Sequence, residues 1–282
     1  MNSFKINTRT VICVGDIHGA LNEIGGLLKR YNFKDTSLIF CGDVGFGFYK
    51  PEYYKQIFNK LKKECKKRNC YCFFIRGNHD DPSYFNGKDY KKGYIITVPD
   101  YTILQFYDME DSDKMGFDTC VLCVGGATSV DRTYRKAVQD IRVRDYMRWH
   151  FGVPLEEAKK NVPQSYWEDE KPIFDIDKLN EIIESGVQID VVCSHTCPSF
   201  CEPVTKDGIT SWLNADETLS NDIDEERKCM DSIYEFLKNN NQKISRWIYG
   251  HYHYHASQEI EGVRYVLLDM VRNNNFDIIQ IK

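Results

Sequence analysis

The sequence predicts an α/β fold of parallel strands in a single domain spanning residues 1–282. A unit of apolar strand, polar turn and amphipathic helix recurs near the start, the pattern of parallel strands joined by right-handed crossovers. Five of the 7 histidines fall in short clusters that each follow an apolar run: Gly15-Asp16-Ile17-His18-Gly19, Gly77-Asn78-His79-Asp80, Ser194-His195 and Gly250-His251-Tyr252-His253. Gly42-Asp43 follows a strand in the same way. In such sheets ligands bind at the carboxyl ends of strands, where these clusters lie. The length would suit two average domains, but the clusters run from 15 to 253 and are read as one unit.

Thr10 to Val14 is a short β-branched run that stops at Gly15-Asp16, after which Leu21, Ile24, Leu27, Leu28 and Tyr31 share one helical face. Residues 37–41 lead into Gly42-Asp43, and Pro51 opens a helix expected to reach Arg68, proline being suited to a first turn. The basic run from Lys60 to Arg68 lies opposite the stripe of Tyr54, Ile57, Phe58 and Leu61, which makes it a solvated face rather than a nucleic-acid patch. Residues 71–76 form the third strand of the series, and strands with short links follow at 94–98, 102–107 and 119–124, with a polar turn over 108–118.

Helical spacing returns from Asp131 to about Trp149 amid Arg142, Arg144 and Arg148, and 154–172 reads as irregular and charged. The stretch of about 127–175 therefore has the character of a helical and loop insertion. A helix over 175–185, a buried strand over 189–193, a loop over 197–215 and an acidic-to-basic helix ending near Asn239 come next. Strands at 243–249, 256–260, 263–268 and 276–281 close the fold, the middle two joined by a Glu261-Gly262 turn.

Composition narrows the partners. Lys plus Arg number 37 against 42 for Asp plus Glu, a net charge of −5, so no overall field draws nucleic acid or an anionic membrane. The 11 cysteines are odd in number, form no compact pairing framework and lie partly in strands, as Cys13, Cys41, Cys123 and Cys193 do. They are expected to be reduced core thiols, which together with the absence of an apolar signal core after Met1 points to the cytoplasm. Cys65, Cys70 and Cys72 lack the spacing of a zinc ribbon, and no run approaches the about 20 apolar residues of a membrane span.

Asp16 and His18 are two residues apart, so at an extended strand end they point the same way and can share one ion; His251 and His253 repeat the spacing. Carboxylate, imidazole and amide oxygen together suit manganese, iron or zinc better than calcium or magnesium. Taken alone, Asp16 or Asp43 would read as a helix cap, and His79 as an orienting residue; five such clusters converging on strand ends favour a two-metal hydrolytic site. His255 continues the alternation as a surface or supporting residue, and His150 stands apart from every cluster.

The ordered blocks resemble the calcineurin-like metallophosphoesterase superfamily: Gly15-Asp16-Ile17-His18, Gly42-Asp43, Gly77-Asn78-His79-Asp80, His195 and Gly250-His251-Tyr252-His253. The resemblance implies a four-layer αββα sandwich of two mixed β-sheets with a dinuclear metal site at the strand C-terminal ends. It places Asp16, His18 and His253 on one metal, Asn78, His195 and His251 on the other, Asp43 bridging both, and His79 as the catalytic donor of a proton to the leaving oxygen. The implied activity is hydrolysis of a phosphomonoester or phosphodiester by water activated between two ions, on a phosphorylated small molecule, a nucleotide or a phosphoprotein.

The protein serine/threonine phosphatases of this superfamily continue their second block as Gly-Asp-x-x-Asp-Arg-Gly, whereas this chain reads Gly42-Asp43-Val44-Gly45-Phe46-Gly47. The acidic partner of the catalytic histidine and a phosphate-binding arginine are thus missing there. Arg76 matches the arginine before their Gly-Asn-His block and has a structural reading beside the functional one. The segment Gly125-Gly126-Ala127 followed by Ser129, Asp131, Arg132 and Arg135, and later by Trp167 with Glu168 or Glu170, resembles small bacterial and phage metallophosphoesterases. On that resemblance Asp131 orients His79, and Arg132 or Arg135 contacts the substrate phosphate. The rival activities are protein phosphatase, nucleotide polyphosphate hydrolase and nuclease. Outside enzymes the rival is a binding scaffold without turnover, against which the complete ligand set and His79 argue.

Overall fold

The computed structural model describes residues 1–88, 90–107, 118–206, 208–273 and 276–280. The first half runs β1 (Ser3–Asn7), β2 (Thr10–Val14), α1 (Asn22–Arg30), β3 (Thr36–Phe40), α2 (Pro51–Arg68), β4 (Cys70–Phe74), β5 (Ile95–Thr97), β6 (Thr102–Tyr107) and β7 (Thr119–Val124). The second runs α3 (Arg132–Trp149), α4 (Leu155–Asn161), α5 (Ile176–Glu184), β8 (Val191–Ser194), α6 (Ile209–Ala215), α7 (Leu219–Asn239), β9 (Arg246–Tyr249), β10 (Ala256–Ile260), β11 (Val263–Leu267) and β12 (Phe276–Gln280). No helix among the described residues is long and apolar enough to cross a membrane.

The strands form two mixed sheets, one of order β12-β2-β3-β4-β5 and one of order β1-β6-β7-β8-β9-β11-β10. In the smaller sheet β2, β3, β4 and β5 are parallel and β12 closes the edge antiparallel. In the larger, β7, β8, β9 and β11 are parallel.

Successive side chains of a strand face opposite ways, and each central strand feeds two cores. Val11 and Cys13 of β2 join Ile39 and Phe73 in a core shared with Val121, Cys123, Val191, Cys193, Ile248 and Val266 of the larger sheet. Ile12 and Val14 face outward onto Ile24, Leu27 and Leu28 of α1 and Tyr54, Phe58 and Leu61 of α2. On the far side Leu122, Val192 and Trp247 pack against Leu179 and Ile182 of α5 and Met230, Ile233 and Leu237 of α7. Three cores in series make the four layers, helix, sheet, sheet, helix, expected of the sequence. The cysteines are free thiols, and burial pushes Cys123 and Cys193 upward, so they act as small apolar side chains.

Several expectations are corrected. Ser3–Asn7 is a strand that the sequence did not announce, pairing in parallel with β6 at the sheet edge. The 154–172 stretch, expected to be irregular, contains α4, whose Ala158 packs with Val143 of α3 and with Val162. The 197–215 loop contains α6. The polar turn expected over 108–118 lies, but for its last residue, outside the described residues.

The turns at the carboxyl ends of the strands are tied to one another by backbone. Ile17 and His18 donate their N–H groups to the Asp43 carbonyl at 3.1 and 2.7 Å, and Gly250 donates to the His195 carbonyl at 3.2 Å. Buried Asp80 makes the central tie, its carboxylate accepting from Val44, Gly45, Phe46 and Gly77 N–H at 3.1, 2.7, 2.8 and 2.9 Å. One side chain thus stands in for the ladder that ends where β3 and β4 end.

Asp80→Ala is expected to strand these four buried donors and to lower unfolding free energy by roughly 3 kcal/mol or more, since each unmade buried bond costs about 1–3 kcal/mol. Urea titration measures this. A variant as stable as the wild type would show that Asp80 does not anchor the turns.

Candidate metal centre

The donor atoms of the predicted ligands divide into two sets. Asp16, His18, Asp43 and His253 offer one atom each within 4.8 Å of one another: His18 Nε2 is 2.9 Å from His253 Nε2, which is 3.0 Å from Asp16 Oδ2. In the second set Asn78 Oδ1 lies 2.9 Å from His195 Nε2 and 3.0 Å from His251 Nδ1. Atoms that share an ion at about 2.0–2.2 Å sit roughly 3 Å apart at right angles, so these spacings are those of coordination edges. Asp43 stands between the sets, its Oδ1 3.3 Å from His195 Nε2 and its Oδ2 3.8 Å from His18 Nε2.

Other hydrogen bonds engage the far atoms of these side chains. His195 Nδ1 donates to the Cys41 carbonyl at 2.7 Å, which leaves Nε2 as the lone-pair nitrogen. Asp16 Oδ1 accepts from His251 N–H at 3.0 Å and Asp43 Oδ1 from His79 N–H at 2.7 Å. Asp16 Oδ2 and Asp43 Oδ2 are buried and no hydrogen bond among the described residues reaches them. Two orphaned carboxylate oxygens among imidazole and amide donors fit a pair of cations.

Electrostatics agrees. Burial works against ionisation of Asp16, yet the imidazoles of His18 and His253 beside its carboxylate outweigh it and hold its carboxyl far below the usual range. Asp43 is also held low, against burial, by the imidazoles of His79, His195 and His18 that surround it. Asp43 in turn lifts His195 to about 9 although burial opposes it. The carboxylates thus raise His195 and His18, whereas burial keeps His79 and His251 low.

Close approach of turns has a backbone consequence. His18, Asp43, His251 and His253 all adopt positive φ, at 49°, 48°, 71° and 61°, a region that L-residues with a Cβ occupy rarely and at functional sites. Gly42 combines φ of +97° with the His195 ring, whose Nδ1 would lie 2.1 Å from an added Cβ. At Gly77 an added Cβ would meet Asp43 N at 2.1 Å.

The remaining predicted residues sort themselves. His79 Nδ1 faces Arg135 Nη2 at 3.1 Å; arginine only donates, so the nitrogen accepts and the neutral ring carries its proton on Nε2. Burial pushes His79 down to about 3, with Arg135 adding to the effect and Asp43 opposing it. Asp131, expected to orient His79, instead accepts from Arg135 Nε at 2.7 Å and so acts one residue removed. Arg132 does not join the cluster: Asp216 takes its Nε at 2.6 Å, Asp222 its Nη1 at 2.5 Å and Thr218 its Nη2 at 2.8 Å. Arg76 is structural, donating to the carbonyls of Asp169, Glu170 and Lys171 and to Asp100. Arg148 pairs with Asp145, His150 caps its own helix by bonding the Tyr146 carbonyl, and His255 is exposed.

Three groups at or behind the centre were not legible as site residues. Burial is the main cause that depresses His251, and the positive charge of half-buried Lys206 adds to it and, in smaller part, to the depression of His79; Lys206 is itself drawn to Asp43 and Asp16. Arg227 holds Tyr252, between two ligands, and the carbonyls of Ser199, Cys201 and Pro203. Ser129 accepts from Asn78 Nδ2 at 2.8 Å. The first two lie in segments without motif character; the third sits inside the Gly125-Gly126-Ala127 block, which was the available signal.

Asp43→Asn should abolish binding of at least one ion while the fold persists, because the amide keeps one oxygen and loses the charge. Elemental analysis of the purified variant, beside its thermal melt, checks this. Two equivalents retained would remove Asp43 from its place between the sets.

No match was found among curated proteins. Similar solved structures include a dimetal phosphatase from Danio rerio (13% identity, 98% of this chain and 93% of that one, TM-score 0.46). A phosphopantetheinyl hydrolase from Mycobacterium tuberculosis aligns at 14% identity over 93% and 90%, with TM-score 0.43. A putative 5'-nucleotidase from Staphylococcus aureus aligns at 13% over 97% and 53%, with TM-score 0.42. Likeness at this level assigns no substrate. The turns that carry the candidate ligands fall within residues 9–255, where the chain matches the calcineurin-like phosphoesterase family, and the chain belongs to that family.

Proposed function

We propose that this metal-dependent phosphoesterase hydrolyses phosphomonoesters or phosphodiesters of small molecules, nucleotides among them, at a dinuclear centre. The observation that supports this most is the division of the donor atoms into two sets on either side of Asp43, with Asp16, His18 and His253 for one cation and Asn78, His195 and His251 for the other. Manganese or iron, with zinc as the third choice, suits this mixture of donors. When bound, a pair of cations supplies charge to hold phosphoryl oxygens and to acidify water near neutral pH.

The chain's own groups do the rest. Arg135 spends Nε on Asp131, Nη1 on the Ser165 carbonyl and Nη2 on His79, and of its five donors one N–H on each terminal nitrogen is left for a phosphate oxygen. The same guanidinium fixes the His79 tautomer, so the ring lends Nε2–H to charge developing on the leaving oxygen. Lys206 adds positive potential on the side of the loop that carries it. The missing Asp-Arg pair after Gly42-Asp43 speaks against a protein phosphatase, since Arg135 reaches His79 from a helix that those enzymes' second block does not supply.

His79→Ala is expected to keep both ions and to lose about 10²–10⁴-fold in kcat on alkyl phosphates, with a smaller loss on nitrophenyl esters, whose leaving group needs less help. Equal losses on the two would refute a role at the leaving oxygen. The two arginines should separate. Arg135→Ala should cost kcat/KM roughly 2–4 kcal/mol, whereas Arg132→Ala, which takes a buried guanidinium from Asp216 and Asp222, should lower stability by roughly 2–3 kcal/mol and leave kcat/KM near wild type. Hydrolysis of p-nitrophenyl phosphate and bis-p-nitrophenyl phosphate with added manganese tests the class of activity; turnover of neither would indicate a scaffold.

A further inference from the structure

Glu170 is a fully buried carboxylate (1% exposed) with no part in the chemistry above. Its Oε1 accepts the Ser129 N–H and its Oε2 the Ser129 hydroxyl, both at 2.7 Å; burial pushes the carboxyl up to about 8, and these two bonds from Ser129 are what favours its ionised, accepting form. With its proton committed to Glu170, the Ser129 oxygen can only accept, and what it accepts is Asn78 Nδ2 at 2.8 Å. An amide has one oxygen and one nitrogen, so fixing Nδ2 on Ser129 turns Oδ1 toward His195 and His251, at 2.9 and 3.0 Å. The backbone that carries Glu170 is held too: Arg76 Nη1 and Ala127 N–H both donate to the Glu170 main-chain carbonyl, at 2.7 and 3.1 Å.

We infer that Glu170 is a positioning residue that, through Ser129, sets the orientation of the Asn78 amide and so decides whether the second cation finds an oxygen or an N–H. The inference rests on the dinuclear reading of the site. Only an acceptor with two oxygens serves, because Ser129 presents two donors side by side. A glutamine in its place must offer an NH₂ group to one of them. Directed at the hydroxyl, that group reverses the relay: Ser129 then donates toward Asn78, and the amide turns its nitrogen to the metal.

The test is calorimetric titration of the metal-free protein with manganese, in the wild type, Glu170→Gln, Ser129→Ala and the double variant. In Glu170→Gln and in Ser129→Ala one of the two binding events should weaken about 10–100-fold, the usual size for a group supporting a metal ligand, and the other should change less than threefold. The double variant should bind no worse than Ser129→Ala, since Glu170 acts only through that hydroxyl. Ser129→Ala keeps the backbone bond to Glu170 and removes a single atom, so it tests the relay even where Glu170→Gln misfolds. Two wild-type affinities in Ser129→Ala, equal weakening of both events, or additive losses in the double variant would each overturn the relay. A wild type that binds fewer than two ions would overturn the dinuclear reading as well, which distinguishes the two failures.

Discussion

The structure is organised around two carboxylates, Asp16 and Asp43, buried at 1% and 0% exposure and each left with an oxygen that no hydrogen bond among the described residues satisfies. Bare buried charge is costly, several kcal/mol per ion even after relaxation, and the neighbours that touch these groups are imidazoles and an amide rather than a fixed salt-bridge partner. Such a surround is a poor match for folding alone and a good one for divalent cations. The family's dinuclear chemistry therefore follows from what the interior would otherwise leave unbalanced.

Bringing the carboxylates together requires five turns from two sheets to meet at one point. Parallel strands supply the direction, and the turns supply the approach. Four candidate metal ligands take left-handed backbone, and Gly42 and Gly77 give up side chains where His195 and Asp43 must pass. Strain of this kind persists when surroundings over-determine it, which is the contribution of the Asp80 carboxylate and of the bonds from Ile17 and His18 to the Asp43 carbonyl. Around this centre Arg76, Glu170 and Arg227 are buried ionisable side chains whose partners are backbone carbonyls and side chains beside the candidate ligands.

What could be read from sequence is what is local. Strands buried on both faces appear as short apolar runs, and the ligands follow them within a few residues, so β2, β3, β4, β8 and β9 and all seven metal-ligand candidates were legible together. The family resemblance added the layer order. The edge strand Ser3–Asn7, with Lys5 between Phe4 and Ile6, gave too short a pattern, and α4 and α6 are seven-residue helices in polar surroundings. The arginines show the limit most clearly. Arg132 and Arg135 carry equal weight in the motif, and what separates them is Asp216, 84 residues beyond Arg132, and His79, 56 residues before Arg135. The role of Glu170 depends likewise on Ser129, 41 residues earlier.

The central claim is that two cations share Asp43. Anomalous diffraction from crystals of the wild-type protein grown with manganese tests it most directly. The account predicts two anomalous peaks flanking the Asp43 carboxylate, one among Asp16, His18 and His253 and the other among Asn78, His195 and His251. A single peak, or two of which neither touches Asp43, would contradict it.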